Sequence, residues 1–204
     1  YFGWWESIAS ADFDSDGDFD LIVGNMGRNN FYQPSEHQPV TVLAKDFDNN
    51  GSIDPILFAH IANDQKNKEA FPVHFWGDLS KQSTIFRSKF NTYAEYANAT
   101  QESLLSSEEL ENTTKVVGNY DQSSYIENLG NGKFKLKPLP LEAQLAPINA
   151  MVITDVNGDN NPDIMALGND FGNENFIGRY DDLNGLLLEC DGMGNFNSIP
   201  ASNS

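Results

Sequence analysis

The chain has 204 residues, enough for one large domain or two small ones, and a formal net charge of −18. That acidity argues against nucleic acid and anionic membrane as partners, because both are themselves negative. A single cysteine, Cys190, rules out an internal disulfide, and no apolar run approaches the length of a membrane span.

In chain order the sequence reads as short strands around turns. Tyr1 opens the chain without a Met or a signal peptide, so the chain reads as a piece of a longer protein. Trp4-Trp5 reads as core at a strand start, with stacking on a sugar ring as the alternative. Strand-like runs follow over residues 6–11 and 21–25, 40–45 and 56–59, then 148–154 and 164–169; each pair frames an acidic loop. Between Asn63 and Tyr120 the composition shifts to Ala, Glu, Lys, Gln and Ser, which predicts two or three short helices in an insertion. Ser106-Ser-Glu-Glu109 fits a capping box there. Tyr125-Ile-Glu-Asn-Leu-Gly-Asn-Gly-Lys-Phe and Leu187-Leu-Glu-Cys-Asp-Gly-Met-Gly-Asn-Phe read as hairpins with Gly-rich turns, and Cys190 in the second reads as a small packed residue.

The acidic loops carry the chemistry. They are Asp12-Phe-Asp-Ser-Asp-Gly-Asp-Phe-Asp20, Asp46-Phe-Asp-Asn-Asn-Gly-Ser-Ile-Asp54 and Asp155-Val-Asn-Gly-Asp-Asn-Asn-Pro-Asp163. Side-chain oxygens recur at positions 1, 3, 5 and 9: Asp12, Asp14, Asp16, Asp20; Asp46, Asp48, Asn50, Asp54; Asp155, Asn157, Asp159, Asp163. Position 7 (Asp18, Ser52, Asn161) offers a backbone carbonyl. Oxygen donors at this spacing suit Ca²⁺, which takes 6–8 oxygens in irregular geometry, so up to three ions are expected. An EF-hand is excluded, because position 12 is Val23, Leu57 and Ala166 where a bidentate Glu is required.

The spacing also sets a repeat. Asp155 and Gly192 are 37 residues apart and Gly130 and Asp155 are 25 apart, which gives a period of 62: a metal hairpin, then a Gly-turn hairpin. Four strands per repeat is the unit of a β-propeller blade. On this period the Gly130 hairpin belongs with the second metal loop across a 47-residue insertion. The first repeat then lacks 28 residues and stands as a two-stranded remnant.

The loops, with Leu21-Ile-Val-Gly-Asn25 after the first and the Gly-Asn-Gly-Lys-Phe and Gly-Met-Gly-Asn-Phe turns, resemble the FG-GAP/VCBS repeats of integrin-α-like propellers. The run from Gly3 to Asp14 looks like the start of such repeats in large secreted bacterial proteins of Bacteroidetes type. The resemblance implies a mainly β fold of four-stranded antiparallel propeller blades, about three of them, in one segment over residues 1–204 with a helical insertion at about 63–120. It further implies Ca²⁺ in the loop between strands one and two of a blade. The resemblance implies a seven-bladed propeller, which three blades cannot close, so a partial propeller is expected. An extracellular, cell-surface or periplasmic bacterial setting follows from the same likeness.

In such a blade the connections from strand two to strand three emerge opposite the metal loops, where loops on a rigid scaffold usually bind. The candidates are Arg28, Asn29, Asn30, Trp76, Arg87, Arg179, Tyr180 and Asp181, with turn chemistry and inter-blade salt bridges as the plainer reading. His37, His60 and His74 are scattered without zinc spacing, and no local motif assembles a catalytic triad. Asn98 and Asn112 fit the glycosylation sequon, which has no bearing in a bacterial protein. Two functions stand. One is a non-enzymatic calcium-binding module that contacts a protein or glycan. The other is an accessory or catalytic part of a polysaccharide-degrading enzyme.

Overall fold

The computed structural model describes residues 1–173 and 177–199. In chain order its strands and helices are β1 (Ser7–Ala11), β2 (Asp20–Gly24), β3 (Val40–Lys45), β4 (Asp54–Ala62), β5 (Lys68–Pro72), α1 (Trp76–Gln82), α2 (Thr84–Arg87), α3 (Tyr93–Tyr96), α4 (Gln101–Leu104), α5 (Ser107–Leu110), β6 (Thr114–Gly118), β7 (Ser124–Asn128), β8 (Phe134–Pro138), β9 (Ala150–Thr154), β10 (Asp163–Leu167), β11 (Leu186–Cys190) and β12 (Phe196–Ile199). The fold is mainly β, as expected: three four-stranded antiparallel sheets with a few short helices.

The chain divides into two compact units. The host unit comprises Gly3–Gln33 and the chain from Asp121 on; the inserted unit comprises Tyr1–Phe2 and Pro34–Tyr120. The host holds two sheets, ordered β1-β2-β7-β8 and β12-β11-β10-β9. Its core gathers Phe13 of the first acidic loop with facing residues of the two sheets: Ile22 and Tyr125 from one, and Ile164, Ala166 and Leu188 from the other. Small residues let the sheets approach. A Cβ on Gly24 would fall on the Ile148 carbonyl, so only glycine fits there. The opposite face of the second sheet is a shallow apolar groove of about 500 Å³. Val152, Met165, Leu187 and Ile199 run across it in register, with Val152 61% and Met165 50% exposed.

Strand pairing corrects the repeat read from spacing. The Gly-turn hairpin β7-β8 pairs with the first acidic-loop hairpin, through Leu21↔Ile126, Ile22↔Tyr125 and Val23↔Ser124, and not with the second. The first blade is therefore complete, and the excursion sits between its second and third strands. Polar anchors close the excursion's neck: the Asn25 N–H donates to Ser123 Oγ at 3.0 Å and the Gly27 N–H to the Asp121 carbonyl at 2.7 Å. Linear spacing cannot see this pairing, because it assigns each hairpin to its nearest predecessor.

The second acidic-loop hairpin, β3-β4, lies inside the inserted unit, in a sheet ordered β5-β4-β3-β6. Three hairpin-connected strands with the fourth returning beside the first is the Greek-key order. The sequence between β5 and β6 folds into five helices of seven or four residues, all between Trp76 and Leu110. The predicted capping box is present at α5: Ser106 Oγ accepts the Glu109 N–H, and the Glu109 carboxylate accepts the Ser106 N–H. Leu79, Phe86, Leu104 and Leu105 from this segment bury against Leu43, Ile56 and Phe58 of the sheet and Phe47 of its acidic loop. Helices this short do not persist alone, so the shared core is what holds them.

Candidate metal centres

All three acidic loops adopt one backbone design. Position 1 accepts the N–H of position 6: Gly17 to Asp12 Oδ2 at 3.1 Å, Gly51 to Asp46 Oδ2 at 2.8 Å, Asn160 to Asp155 Oδ2 at 2.9 Å. Position 5 accepts the N–H of position 7, from Asp18, Ser52 and Asn161 onto Asp16, Asn50 and Asp159 at 2.8–3.0 Å. Position 9 accepts the N–H of position 2, from Phe13, Phe47 and Val156 onto Asp20, Asp54 and Asp163. Positions 4 and 6 take positive φ in every loop: Ser15 and Gly17, Asn49 and Gly51, Gly158 and Asn160. Both positions therefore favour Gly or Asn, which explains why glycine stands at position 6 in two loops and at position 4 in the third.

In the first and third loops the position-9 carboxylate also ties the hairpin to its surroundings. Asp20 is fully buried and further accepts the Tyr125 hydroxyl at 2.7 Å and the Asn128 N–H at 2.8 Å. Asp163, likewise buried, accepts the Cys190 N–H at 2.9 Å. In both host sheets this aspartate thus bonds the strand that follows in the blade. Cys190 and Tyr125 are structural partners here. Burial pushes the Cys190 thiol and the Tyr125 hydroxyl up, and the Asp20 hydrogen bond adds to the tyrosine's rise.

Carboxylates converge in two of the loops. One oxygen each from Asp12, Asp14 and Asp20 lie within 4.8 Å of one another, and Asp46, Asp48 and Asp54 do the same. Three negative charges so close repel unless a cation or protons intervene. Burial raises the Asp14 pKa, and Asp20 and Asp16 add to the rise. Asp18 is raised by desolvation and by Asp16, Asp20 and Asp12. Asp54 is raised by burial and by Asp48 and Asp46, with the Phe47 N–H partly opposing. Asp12 Oδ1, Asp18 Oδ1 and Asp48 Oδ1 are buried oxygens without a hydrogen-bond partner. Orphaned acceptors of this kind suit an inner-sphere cation. The donor set, all hard oxygen, fits Ca²⁺.

The third loop differs. Asn157 replaces the position-3 carboxylate, and its Nδ2 donates to Asp159 Oδ2 at 3.1 Å. The Asn161 N–H and that amide hold the Asp159 pKa below the ordinary carboxylate value. Among the described residues no third group of three carboxylates closes as tightly as the first two. The loop is also the most exposed of the three, with Val156 41% exposed where Phe13 and Phe47 are buried.

The residues proposed for a ligand face are divided between the units. Arg28, Asn29, Asn30, Arg179, Tyr180 and Asp181 belong to the host, Trp76 and Arg87 to the insert. In the host the two connections do meet: Asn29 Nδ2 donates to Asp182 Oδ2 at 2.9 Å and to the Leu145 carbonyl at 3.1 Å. Arg28, Asn29, Arg179 and Asp181 are exposed, and the Arg179 guanidinium lies 5.6 Å from the Phe171 ring centre. Tyr180 is not a surface contact. It is 6% exposed, sits in the core and receives the Phe31 N–H on its hydroxyl. Asn30 is equally buried, holding Asp121 Oδ2 at 2.8 Å and the Gly27 carbonyl at 2.6 Å. Arg87 is exposed on α2, and Trp76 packs edge-on to Tyr93 and stacks on Tyr96. Glu174, Asn175 and Phe176, within the second connection, lie outside the described residues. Trp4 stacks on Tyr32 with planes 7° apart, and Trp5 is 40% exposed.

Sequence reasoning missed Thr84. It donates to Asp48 Oδ2 from its N–H at 3.2 Å and from Oγ1 at 3.4 Å, and no local pattern links residues 36 positions apart.

No helix among the described residues is long and apolar enough to cross a membrane. No curated protein and no solved structure shows significant similarity to the chain. Residues 4–36, which contain β1, the first acidic loop and β2, match the family of the FG-GAP repeat.

Proposed function

We propose that the chain is a calcium-binding β-propeller module of the FG-GAP/VCBS type, working at the outside of a bacterial cell as a non-enzymatic contact surface for a protein or glycan. The observation that carries this reading is the pair of carboxylate triads with buried, unpartnered oxygens. Asp12, Asp14, Asp20 and Asp46, Asp48, Asp54 would hold the ions, with Asp16, Asp18, Asn50 and Ser52 completing the shells. The third loop, through Asp155, Asn157, Asp159, Asn161 and Asp163, is the weaker site. The bound cation supplies charge neutralisation, which turns a repulsive loop into a rigid hairpin end. The contact surface is the host's pair of connections opposite the metal loops, with Arg28, Asn29, Arg179 and Asp181 exposed on it. Among the described residues of those connections, burial raises the Asp121 pKa, and its Oδ2 is spent on Asn30.

Calorimetric calcium titration of the chelator-stripped protein tests the reading. Two tight sites are expected, with a stability gain of about 2.7 kcal/mol per site at 100 times its Kd. An unchanged melting temperature with no bound calcium refutes it. Arg28→Ala and Arg179→Ala should leave calcium binding intact while weakening any ligand found on protein or glycan arrays.

A further inference from the structure

The two carboxylate triads are built alike but supported differently. In the first loop the position-3 side chain is held from within, where Asp14 Oδ1 accepts the Asp16 N–H at 3.3 Å. The third loop repeats that bond, from the Asp159 N–H to Asn157 Oδ1. In the second loop the corresponding N–H, of Asn50, turns to Asp46 Oδ1 at 3.0 Å. Asp48 is held instead from outside by both donors of Thr84, at the start of α2. These bonds occupy Oδ2 and leave Oδ1 buried and unpartnered beside Asp46 and Asp54.

Thr84 does not act alone. Gln82 Nε2 donates to the Pro55 carbonyl at 2.9 Å, next to Asp54. Phe86 packs edge-on against Phe47, at position 2 of the loop, with ring centres 5.4 Å apart, and both rings are buried. Within five consecutive residues, Gln82, Thr84 and Phe86 therefore meet the hairpin at three places: next to position 9, at position 3 and at position 2. Ser83, between them, is 1% exposed and its hydroxyl has no hydrogen-bond partner. Every one of these contacts lies within the inserted unit.

We propose that the second cation site is shared between the β3-β4 hairpin and the segment Gln82–Phe86, with Thr84 as a positioning residue that aims Asp48 Oδ1 at the ion. Cation binding there locks the helical segment onto the sheet, and losing the cation loosens it. The first site, whose position-3 side chain is supported within its own loop, has no such effect on that segment. This rests on the calcium reading above. It assigns to the insert a calcium-dependent surface, since α2 and its exposed Arg87 are ordered through Asp48.

Thr84→Pro provides the test. Proline at the first position of a helix is tolerated, and Ser83 already has the extended backbone that precedes proline. The substitution removes both donors at once, and Thr84→Val removes only the hydroxyl. In the wild-type protein, calcium should slow amide exchange in both acidic loops and across α2. In Thr84→Pro, affinity at one of the two tight sites should fall about tenfold, the effect of losing a charge-assisted hydrogen bond. Calcium should then no longer slow exchange in α2, while the first loop responds as before. Thr84→Val should fall between, and it carries the test if the proline variant does not fold in chelator. Calcium binding at both loops with α2 exchange insensitive to it, or wild-type affinities in both variants, overturns the coupling and leaves the calcium reading standing. No calcium binding at either loop overturns both.

Discussion

Replacing each position-9 aspartate with alanine should destabilise the metal-free protein in the order Asp20, Asp163, Asp54. The three carboxylates occupy the same place in the same loop, yet they satisfy different numbers of donors. Asp20 accepts the Phe13 N–H, the Asn128 N–H and the Tyr125 hydroxyl. Asp163 accepts the N–H groups of Val156 and Cys190. Asp54 accepts the Phe47 N–H. A buried donor left without a partner costs about 1–3 kcal/mol. At the lower bound, where water reaches part of the vacated space, the losses are about 3, 2 and 1 kcal/mol. Removing Asp20 or Asp54 also relieves repulsion on its neighbours, which trims both values without reversing their order. Urea unfolding in excess chelator, with hydrogen exchange reporting each unit separately, measures the series. An Asp54→Ala loss equal to that of Asp20→Ala would show that donor satisfaction does not govern these sites. In calcium Asp20→Ala and Asp54→Ala should each forfeit an ion as well, about 2.7 kcal/mol at 100 times its Kd, so Asp54→Ala should overtake Asp163→Ala while Asp20→Ala stays the most damaging.

The metal-free and calcium-loaded forms should respond to acid with opposite sign. Asp14 and Asp54 have raised folded-state pKa values, so the folded protein binds more protons than the unfolded chain just above the ordinary carboxylate range. Metal-free stability therefore rises as pH falls through the raised values, while the loaded form weakens as protons displace the ion; chemical denaturation at a series of pH values distinguishes the two. Ser15→Gly should stabilise by up to about 1 kcal/mol in thermal unfolding, since Ser15 has φ 63° in a region where L side chains are strained. Lys89→Met should loosen the helical segment by roughly 1–2 kcal/mol after allowance for partial exposure, because Lys89 Nζ bonds the Leu104 carbonyl at 2.5 Å and Glu109 at 2.6 Å. Burial pushes the Glu109 carboxyl up, but Lys89 and Ser106 outweigh it and lower its pKa. The pair's contribution is thus present at neutral pH, fades as pH falls through the lowered value, and should be missing from the Lys89→Met profile.

The acidic-loop hairpins and the β class were legible because their signals are local. Asp at positions 1 and 9 with a left-handed residue between them bends a strand back whatever surrounds it, and Phe13 and Phe47 announce which side is buried. The capping box at Ser106 was legible for the same reason. Which hairpins share a sheet was not. The choice between Asp20 and Asp54 as partner of the Tyr125 hairpin turns on a hydroxyl meeting a carboxylate 105 positions away. Tyr180 shows a related limit. An Arg-Tyr-Asp run in a loop has the composition of a contact surface, and only packing reveals that the ring is core.

The placement of the excursion between β2 and β7 orders events on the ribosome. Asn25 and Ser123 are neighbours separated by 98 positions. At about 5–20 residues per second, β2 waits roughly 5–20 s for its partner, while every strand of the inserted sheet has already emerged. Closing so long an unstructured loop adds about 0.6 kcal/mol for each doubling of its length. Prior folding of the insert shortens the effective loop, so the guest is the natural first product and the host its successor. During that interval β2 presents an unpaired edge with the sequence Leu21-Ile-Val, the kind of edge that recruits other chains. Slowing the insert's folding should therefore lower the yield of the host without touching one of its residues.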